Sequence, residues 1–165
     1  MTEDDVTRLA RTLGRACKRR GVDVATAESC TGGGVATAIT RISRSSKWFE
    51  RGFVTYTNIA KKEMLGVAQD TLAKYGAVSE QVAREMAAGA LKRSHADVSV
   101  AVTGIAGPTG GSRKKPVGLV WFSWGVRGGP IQTRVFRFKG DRVAVRIQSV
   151  AVALQGLIDL LRKTP

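Results

Sequence analysis

The stretch T-A-E-S-C-T-G-G-G, Thr26 to Gly34, follows a largely apolar run from Val22 to Ala27 and precedes another from Val35 to Ile39. The first run predicts a buried strand, and the second opens a helix. Between them, three consecutive glycines just past a Ser-Cys-Thr cluster let the backbone turn sharply and come close to a ligand. A strand, a turn and a helix N-terminus together form a build that presents a nucleophile or holds an anion, and Ser29 is the first candidate. The alternative is a glycine-rich connection whose Ser29, Cys30 and Thr31 only cap the helix. What decides between them is whatever the rest of the chain brings to the same place.

Upstream, Thr2 and Asp5 have the spacing of a capping box, and Val6, Leu9, Leu13 and Cys17 recur at helical intervals up to Gly21. Downstream, a helix over Val35 to Ile42 and a polar loop over Ser43 to Lys47 lead into W-F-E-R-G-F-V-T-Y, Trp48 to Tyr56. That segment is rich in aromatic and β-branched residues and predicts a second strand with Tyr56 at its end. A short helix from Asn58 to about Leu65 stops at Gly66, so Lys61 lies near a strand-to-helix junction. In an open α/β sheet ligands collect at the carboxyl ends of strands, where such a junction can face Ser29. The competing reading of Lys61 is a solvated surface lysine like its neighbour Lys62.

Thr71 to Tyr75 predicts another short helix, and Ser79 is a good N-cap for an alanine-rich helix through Leu91 with Val82 and Met86 on its inner face. V-S-V-A-V, Val98 to Val102, alternates as a strand and runs into a second glycine-rich loop, T-G-I-A-G-P-T-G-G-S, Thr103 to Ser112. Thr103 and Gly104 stand at that strand's carboxyl end, where Thr103 is either a side-chain donor to a ligand or a strand terminator bonded to its own turn. Ser112 to Lys115 is polar and basic, suited to closing over a charged ligand. Val117 to Val126 and Ile131 to Phe138, joined by R-G-G-P, predict an antiparallel hairpin, so the sheet is mixed. Asp141 can cap a last helix carrying a long apolar stripe from Val143 to Leu161, in which Gly156 would allow close packing. The expected fold is α/β, a three-layer α/β/α sandwich with a mixed sheet, as a single domain over 1–165.

Composition bounds the function. The chain has 165 residues, 43% of them hydrophobic, which is enough to bury a core. No apolar run approaches the ~20 residues of a membrane span, and M-T-E-D-D is not the start of a signal peptide, so a cytoplasmic location is expected. Cys17 and Cys30 have no framework spacing and are expected to be reduced. The formal charge of +14 invites a nucleic-acid reading. The basic residues are scattered, however, the aromatics are few and no nucleic-acid motif accompanies them, so such binding is expected only as nonspecific attraction. With a single histidine, His95, and two cysteines, there are too few ligands for an ordinary zinc site, and no metal is expected. If Ser29 is a nucleophile, its base is then not expected to be histidine.

Taken together, A-E-S-C-T-G-G at Ala27 to Gly33, F-E-R-G-F-V-T-Y-T-N at Phe49 to Asn58, A-K at Ala60 and Lys61, and G-A-V-S-E at Gly76 to Glu80 resemble one family in order and spacing. So do V-T-G-I-A-G-P at Val102 to Pro108, K-P-V-G at Lys115 to Gly118 and G-D-R at Gly140 to Arg142. The chain resembles the CinA C-terminal domain family over roughly Val6 to Leu161. The resemblance implies a metal-free, cofactor-free amidohydrolase that converts nicotinamide mononucleotide and water to nicotinate mononucleotide and ammonia in pyridine nucleotide salvage. It also implies a stand-alone form of the domain. On the matching positions, the family's serine nucleophile falls on Ser29, its lysine on Lys61, its tyrosine on Tyr56 and its motif threonine on Thr103. The chain departs from the family pattern at Ser43 and Arg44, where Pro and Gly are usual, and at Thr109 and Ile59.

That chemistry needs a nucleophile, a base and donors for a tetrahedral oxyanion. Ser29 would form an acyl-enzyme, and Lys61 would take its proton once burial or a nearby cation brings its pKa down. Tyr56 would relay the proton or orient the lysine, and Glu28 would orient Lys61 or simply close the strand. The turn from Cys30 through Thr31, Gly32 and Gly33 to Gly34 would supply backbone oxyanion donors. Cys30 is the rival nucleophile, ranked below Ser29 only by the resemblance. The nucleotide's phosphate would meet Arg142 first and the backbone of Gly110, Gly111 and Ser112 second; the competing reading pairs Arg142 with Asp141 at the helix start. A homo-oligomer, most simply a dimer, is expected, with Trp121 and Trp124 of the hairpin as one possible face and burial in the core as the other fate for them.

Overall fold

The computed structural model describes residues 1–163. Its sheet grows from two strands buried along nearly their whole length, β1 (Val24–Glu28) and β3 (Val98–Gly104). These run parallel to each other, and β2 (Phe49–Val54) lies parallel to β1 on the outer side. The hairpin of β4 (Leu119–Val126) and β5 (Ile131–Arg137) then adds antiparallel to β3, giving the order β2-β1-β3-β4-β5 in one mixed sheet.

Alternation along the central strands sorts the helices onto two faces. Val24, Val98, Val100 and Val102 pack with α1 (Glu3–Arg20), α2 (Gly34–Thr40) and α6 (Arg142–Lys163). Ala25, Ala27 and Ala101 point the other way, toward α3 (Asn58–Leu65), α4 (Gln69–Tyr75) and α5 (Glu80–Lys92). The result is the expected three-layer α/β/α sandwich. The expected caps of α1, α3 and α5 are present: Thr2 with Asp5, Gly66 and Ser79. Asp141 accepts from the Ala144 N–H at 2.9 Å, capping α6. On the smaller face, Gly89 of α5 receives the Leu65 carbonyl at the end of α3, so closely that any Cβ at residue 89 would overlap it.

Some boundaries differ from expectation for physical reasons. The second strand starts at Phe49 because Trp48 turns inward, 1% exposed, with its indole against Gly14 of α1. It ends at Val54, leaving Thr55 to donate its N–H to the Glu28 carbonyl at 2.8 Å and Tyr56 outside the sheet. The loop before it holds Arg44 at a φ of 66°, the one described non-glycine residue with left-handed backbone, at the position where the family commonly has glycine.

By length and composition α6, with 22 residues and an apolar stretch of mean hydropathy 1.5, is long and apolar enough to cross a membrane. Its Leu154, Leu157, Ile158 and Leu161 are instead buried in the core shared with α1 and the sheet. Trp124 is buried beneath it and donates from Nε1 to the Ala153 carbonyl at 3.0 Å. Trp121 is half-buried, so the hairpin's larger aromatic contribution goes to the core rather than to an exposed face. A Cβ at Gly156 would overlap the Trp124 indole. Gly156→Ala is therefore expected to destabilise the fold by about 1–3 kcal/mol through overpacking, read as a lower urea midpoint with an unchanged slope. An unchanged midpoint would show that α6 does not seat on Trp124.

Three arginines tie elements together. Arg84 donates to the Ile131 carbonyl, Arg93 to that of Glu63, and Arg127 to those of Ala96 and Ser94.

Candidate active site

Ser29 is the first residue past β1, and its N–H extends the parallel ladder to the Val102 carbonyl at 2.9 Å. The chain then folds back on itself: the Gly32 N–H donates to the Ser29 carbonyl at 3.0 Å and the Gly34 N–H to the Thr31 carbonyl at 2.9 Å. Gly32 and Gly33 have φ values of 58° and 99°, which explains why glycine follows the cluster. Glu28, 1% exposed, sits beneath this turn. Its carboxylate accepts from Thr31 Oγ1 at 2.6 Å and from the N–H groups of Val35 and Ala36 at 2.8 and 3.0 Å. Glu28 thus caps α2 and braces the turn, and it makes no hydrogen bond to Lys61 among the described residues.

Lys61 lies one turn into α3, which Thr57 caps by accepting the Ala60 N–H at 3.1 Å. Its side chain points into the protein, 1% exposed, with Nζ 2.9 Å from Ser29 Oγ and 2.9 Å from the Thr55 carbonyl. It is not a surface lysine. Burial pulls its pKa below the ordinary lysine value, only partly opposed by the Cys30 thiol. A neutral amine here can direct its lone pair at the Ser29 hydroxyl, which makes the pair a nucleophile and a base in contact.

A cavity of about 320 Å³ opens onto this pair. Cys30, Tyr56, Thr103 and Arg142 line it, as do Gly104 and Gly110. Cys30 is buried and burial pushes its thiol up to about 12, so at neutral pH it is not the thiolate a nucleophile requires. Tyr56 is exposed, and its hydroxyl accepts from Arg142 Nη2 at 2.8 Å rather than bonding Lys61. Arg142 also donates from Nη1 to the Gly107 carbonyl at 2.6 Å, and no ion pair joins it to Asp141 among the described residues. Thr103 Oγ1 donates to the Ala77 carbonyl at 2.9 Å, so its proton is already in use and toward a ligand it can only accept.

Several expected substrate contacts lie elsewhere. Thr31, Gly32 and Gly33 line a separate depression of about 290 Å³ on the far side of the turn. Among the expected oxyanion donors, the Gly32 and Gly34 N–H groups are used inside the turn, that of Cys30 meets only its own thiol, and that of Thr31 makes no hydrogen bond among the described residues. Gly111 and Ser112 do not line the cavity. Ser112 bonds only its own loop, donating its N–H to the Lys115 carbonyl at 2.7 Å and accepting the Lys115 N–H at 3.1 Å. Lys115 reaches the Tyr75 carbonyl at the end of α4, so the basic tail is tethered there. No three His, Cys, Asp or Glu side chains converge among the described residues.

Two residues were not singled out from sequence. Thr55 contributes through its backbone carbonyl, which no side-chain reading reveals. Arg146 donates from Nη2 to the Thr31 carbonyl at 3.1 Å; its place one helical turn after Arg142 was the available signal.

The model of the CinA C-terminal domain matches residues 6–161. The chain belongs to the CinA C-terminal domain family. Among its relatives, the nicotinamide-nucleotide amidohydrolase PncC of Escherichia coli is 57% identical over 157 residues, covering 95% of each chain. The protein of the same name from Pseudomonas putida is 50% identical over 157 residues, covering 95% of this chain and 98% of its own. The crystal structure of the competence/damage inducible protein CihA from Agrobacterium tumefaciens superposes with a TM-score of 0.93 at 49% identity, covering 96% of each chain. Of the motifs quoted above, A-E-S-C-T-G-G brings Ser29 and Cys30, A-K brings Lys61 and V-T-G-I-A-G-P brings Thr103 to Gly107 to the border of the 320 Å³ cavity.

Proposed function

We propose that this chain is a nicotinamide mononucleotide amidohydrolase that works through a Ser29 acyl-enzyme with Lys61 as general base, using side chains and backbone alone. The reading is carried by one observation: a lysine amine, buried and lowered in pKa, within 2.9 Å of a serine hydroxyl at the floor of a cavity. The names of the similar proteins support the substrate class.

Ser29 Oγ attacks the carboxamide carbon as its proton passes to Lys61 Nζ. The oxyanion forms against the N–H groups of Cys30 and Thr31, neither of which is bonded to a backbone carbonyl. The C–N bond then breaks, Lys61 returns the proton to the departing nitrogen, and ammonia leaves. Water attacks the ester, giving its proton to Lys61, and Ser29 is regenerated as nicotinate mononucleotide departs. Arg142 is the phosphate partner in this scheme, held by Tyr56 and the Gly107 carbonyl until the substrate enters. A pathway feeding on a cellular nucleotide fits a cytoplasmic setting.

The test is ammonia release from nicotinamide mononucleotide, compared with nicotinamide riboside and free nicotinamide, with and without EDTA. Release from the mononucleotide that is unaffected by EDTA and much slower with the two phosphate-free compounds is expected. Tight binding of the mononucleotide without ammonia would replace the reading by that of a nucleotide-binding module.

A further inference from the structure

We propose that Arg146 is a positioning residue for the Ser29 reaction, acting through the Thr31 carbonyl to aim the backbone donor of Cys30. The inference rests on the amidase reading and adds to it a residue that never enters the cavity.

Two peptide planes link Arg146 to the Cys30 N–H. The carbonyl of Thr31 and the N–H of Gly32 belong to one peptide group, planar and trans. Its carbonyl is held from both sides, by the Gly34 N–H at 2.9 Å and by Arg146 Nη2 at 3.1 Å. Its N–H holds the Ser29 carbonyl at 3.0 Å. That carbonyl belongs to the peptide group two peptide bonds upstream along the chain, shared with the Cys30 N–H, which must point the opposite way, out of the turn. Fixing the first plane therefore fixes the direction of a donor beside Ser29 whose one recorded partner is its own thiol.

The turn needs such a hold. The held peptide is followed by Gly32 and Gly33, whose positive φ values mark a backbone free to choose among conformations that other residues avoid. Glu28 fixes Thr31 at its hydroxyl and the start of α2 at two amides, but it does not touch the Thr31 carbonyl. Arg146 does, and its guanidinium lies so close that a Cβ at Gly32 would meet Nη2 at 3.1 Å. Arg146 also lines the 290 Å³ depression on the far side of the turn, so its guanidinium site is reachable from solvent.

The experiment compares Arg146→Ala and Arg146→Lys with the natural chain by steady-state ammonia release and by labelling of Ser29 with a fluorophosphonate. In labelling, Ser29 Oγ bonds to phosphorus, fluoride leaves and the serine proton goes to Lys61, with no nucleotide involved. Loss of one whole oxyanion donor costs about 10²–10³-fold in kcat. A donor left in place but poorly aimed is expected to cost about 10-fold or more in kcat at an unchanged KM, with a parallel drop in labelling rate. Arg146→Lys is expected to recover part of the loss. Guanidinium chloride at tens of millimolar is expected to restore Arg146→Ala, where the same concentration of ammonium does not.

An unchanged kcat and labelling rate in Arg146→Ala overturns the proposal. So does a loss that tracks a falling melting temperature and that neither lysine nor guanidinium repairs. If the natural chain releases no ammonia yet labels in an Arg146-dependent manner, the amidase reading fails and the positioning role stands. A folded natural chain that takes up no label overturns the positioning role as well.

Discussion

Ser29→Ala is expected to abolish ammonia release from nicotinamide mononucleotide, lowering kcat by on the order of 10⁴–10⁶-fold, while Cys30→Ala retains activity within a few-fold. Among the described residues, Ser29 is the only side chain placed both at the end of β1 and against a buried amine. Removing its hydroxyl deletes the attacking atom and leaves Lys61 bonded to the Thr55 carbonyl, so the fold should persist. Cys30 points into the same cavity, but with its thiol pushed up to about 12 only a tiny fraction is thiolate at neutral pH. Reading the two variants side by side, with circular dichroism as the check on folding, assigns the nucleophile. Loss of activity in Cys30→Ala with survival in Ser29→Ala would reverse the assignment.

The second large effect is at Lys61. Lys61→Met keeps the length of the side chain without an amine, and Lys61→Arg keeps the charge in a group that does not deprotonate in proteins. Both are expected to lose about 10³-fold or more in kcat/KM, with no rescue by arginine, because the step requires a neutral nitrogen. A Lys61→Arg enzyme of near-normal rate would remove the general-base role. In the natural enzyme kcat/KM is expected to rise with pH across the lowered pKa of Lys61. Stability carries the same sign. Between the folded pKa of Lys61 and the unfolded value of ~10.4, the unfolded chain binds the extra proton, so this group makes the fold more stable as pH rises through that window. The stability of Lys61→Met minus that of the natural chain should therefore shrink over the same window. The raised thiol of Cys17 acts oppositely at alkaline pH but is common to both proteins and cancels in the difference; Cys30 interacts electrostatically with Lys61, so both chains carry Cys30→Ala in this comparison. A difference that stays flat with pH would mean that Lys61 is charged in the folded state.

Much of this was legible beforehand because it is written in local patterns. Alternation in V-S-V-A-V, caps at Thr2, Ser79 and Asp141 and the stop at Gly66 each depend on near neighbours, and they placed the elements to within a few residues. The meeting of Ser29 and Lys61 could be anticipated as two strand ends on one edge of a sheet. Orientation could not. Whether Tyr56 turns to Lys61 or Arg142, and whether Glu28 faces the lysine or the amides of α2, depends on rotamers set by long-range packing. The same holds for the oxyanion donors: the glycine turn was visible, but which of its N–H groups are used internally is a property of the closed turn. Arg44 shows the limit in another way, since its left-handed backbone is obvious only against the family's glycine.

The contact between Gly89 and the Leu65 carbonyl has a consequence for the chemistry some distance away. The helix that carries Lys61 ends on that carbonyl, so the bare α-carbon of residue 89 is the shelf on which the base's helix rests. Raising the shelf by one methyl group would lift the far end of a helix only eight residues long. A hydrogen bond of 2.9 Å has little slack, and misplacement by about an ångström is enough to cost ~10²-fold in rate. The reach of the amine toward the hydroxyl is thus gauged partly by an atom that is missing from the opposite helix.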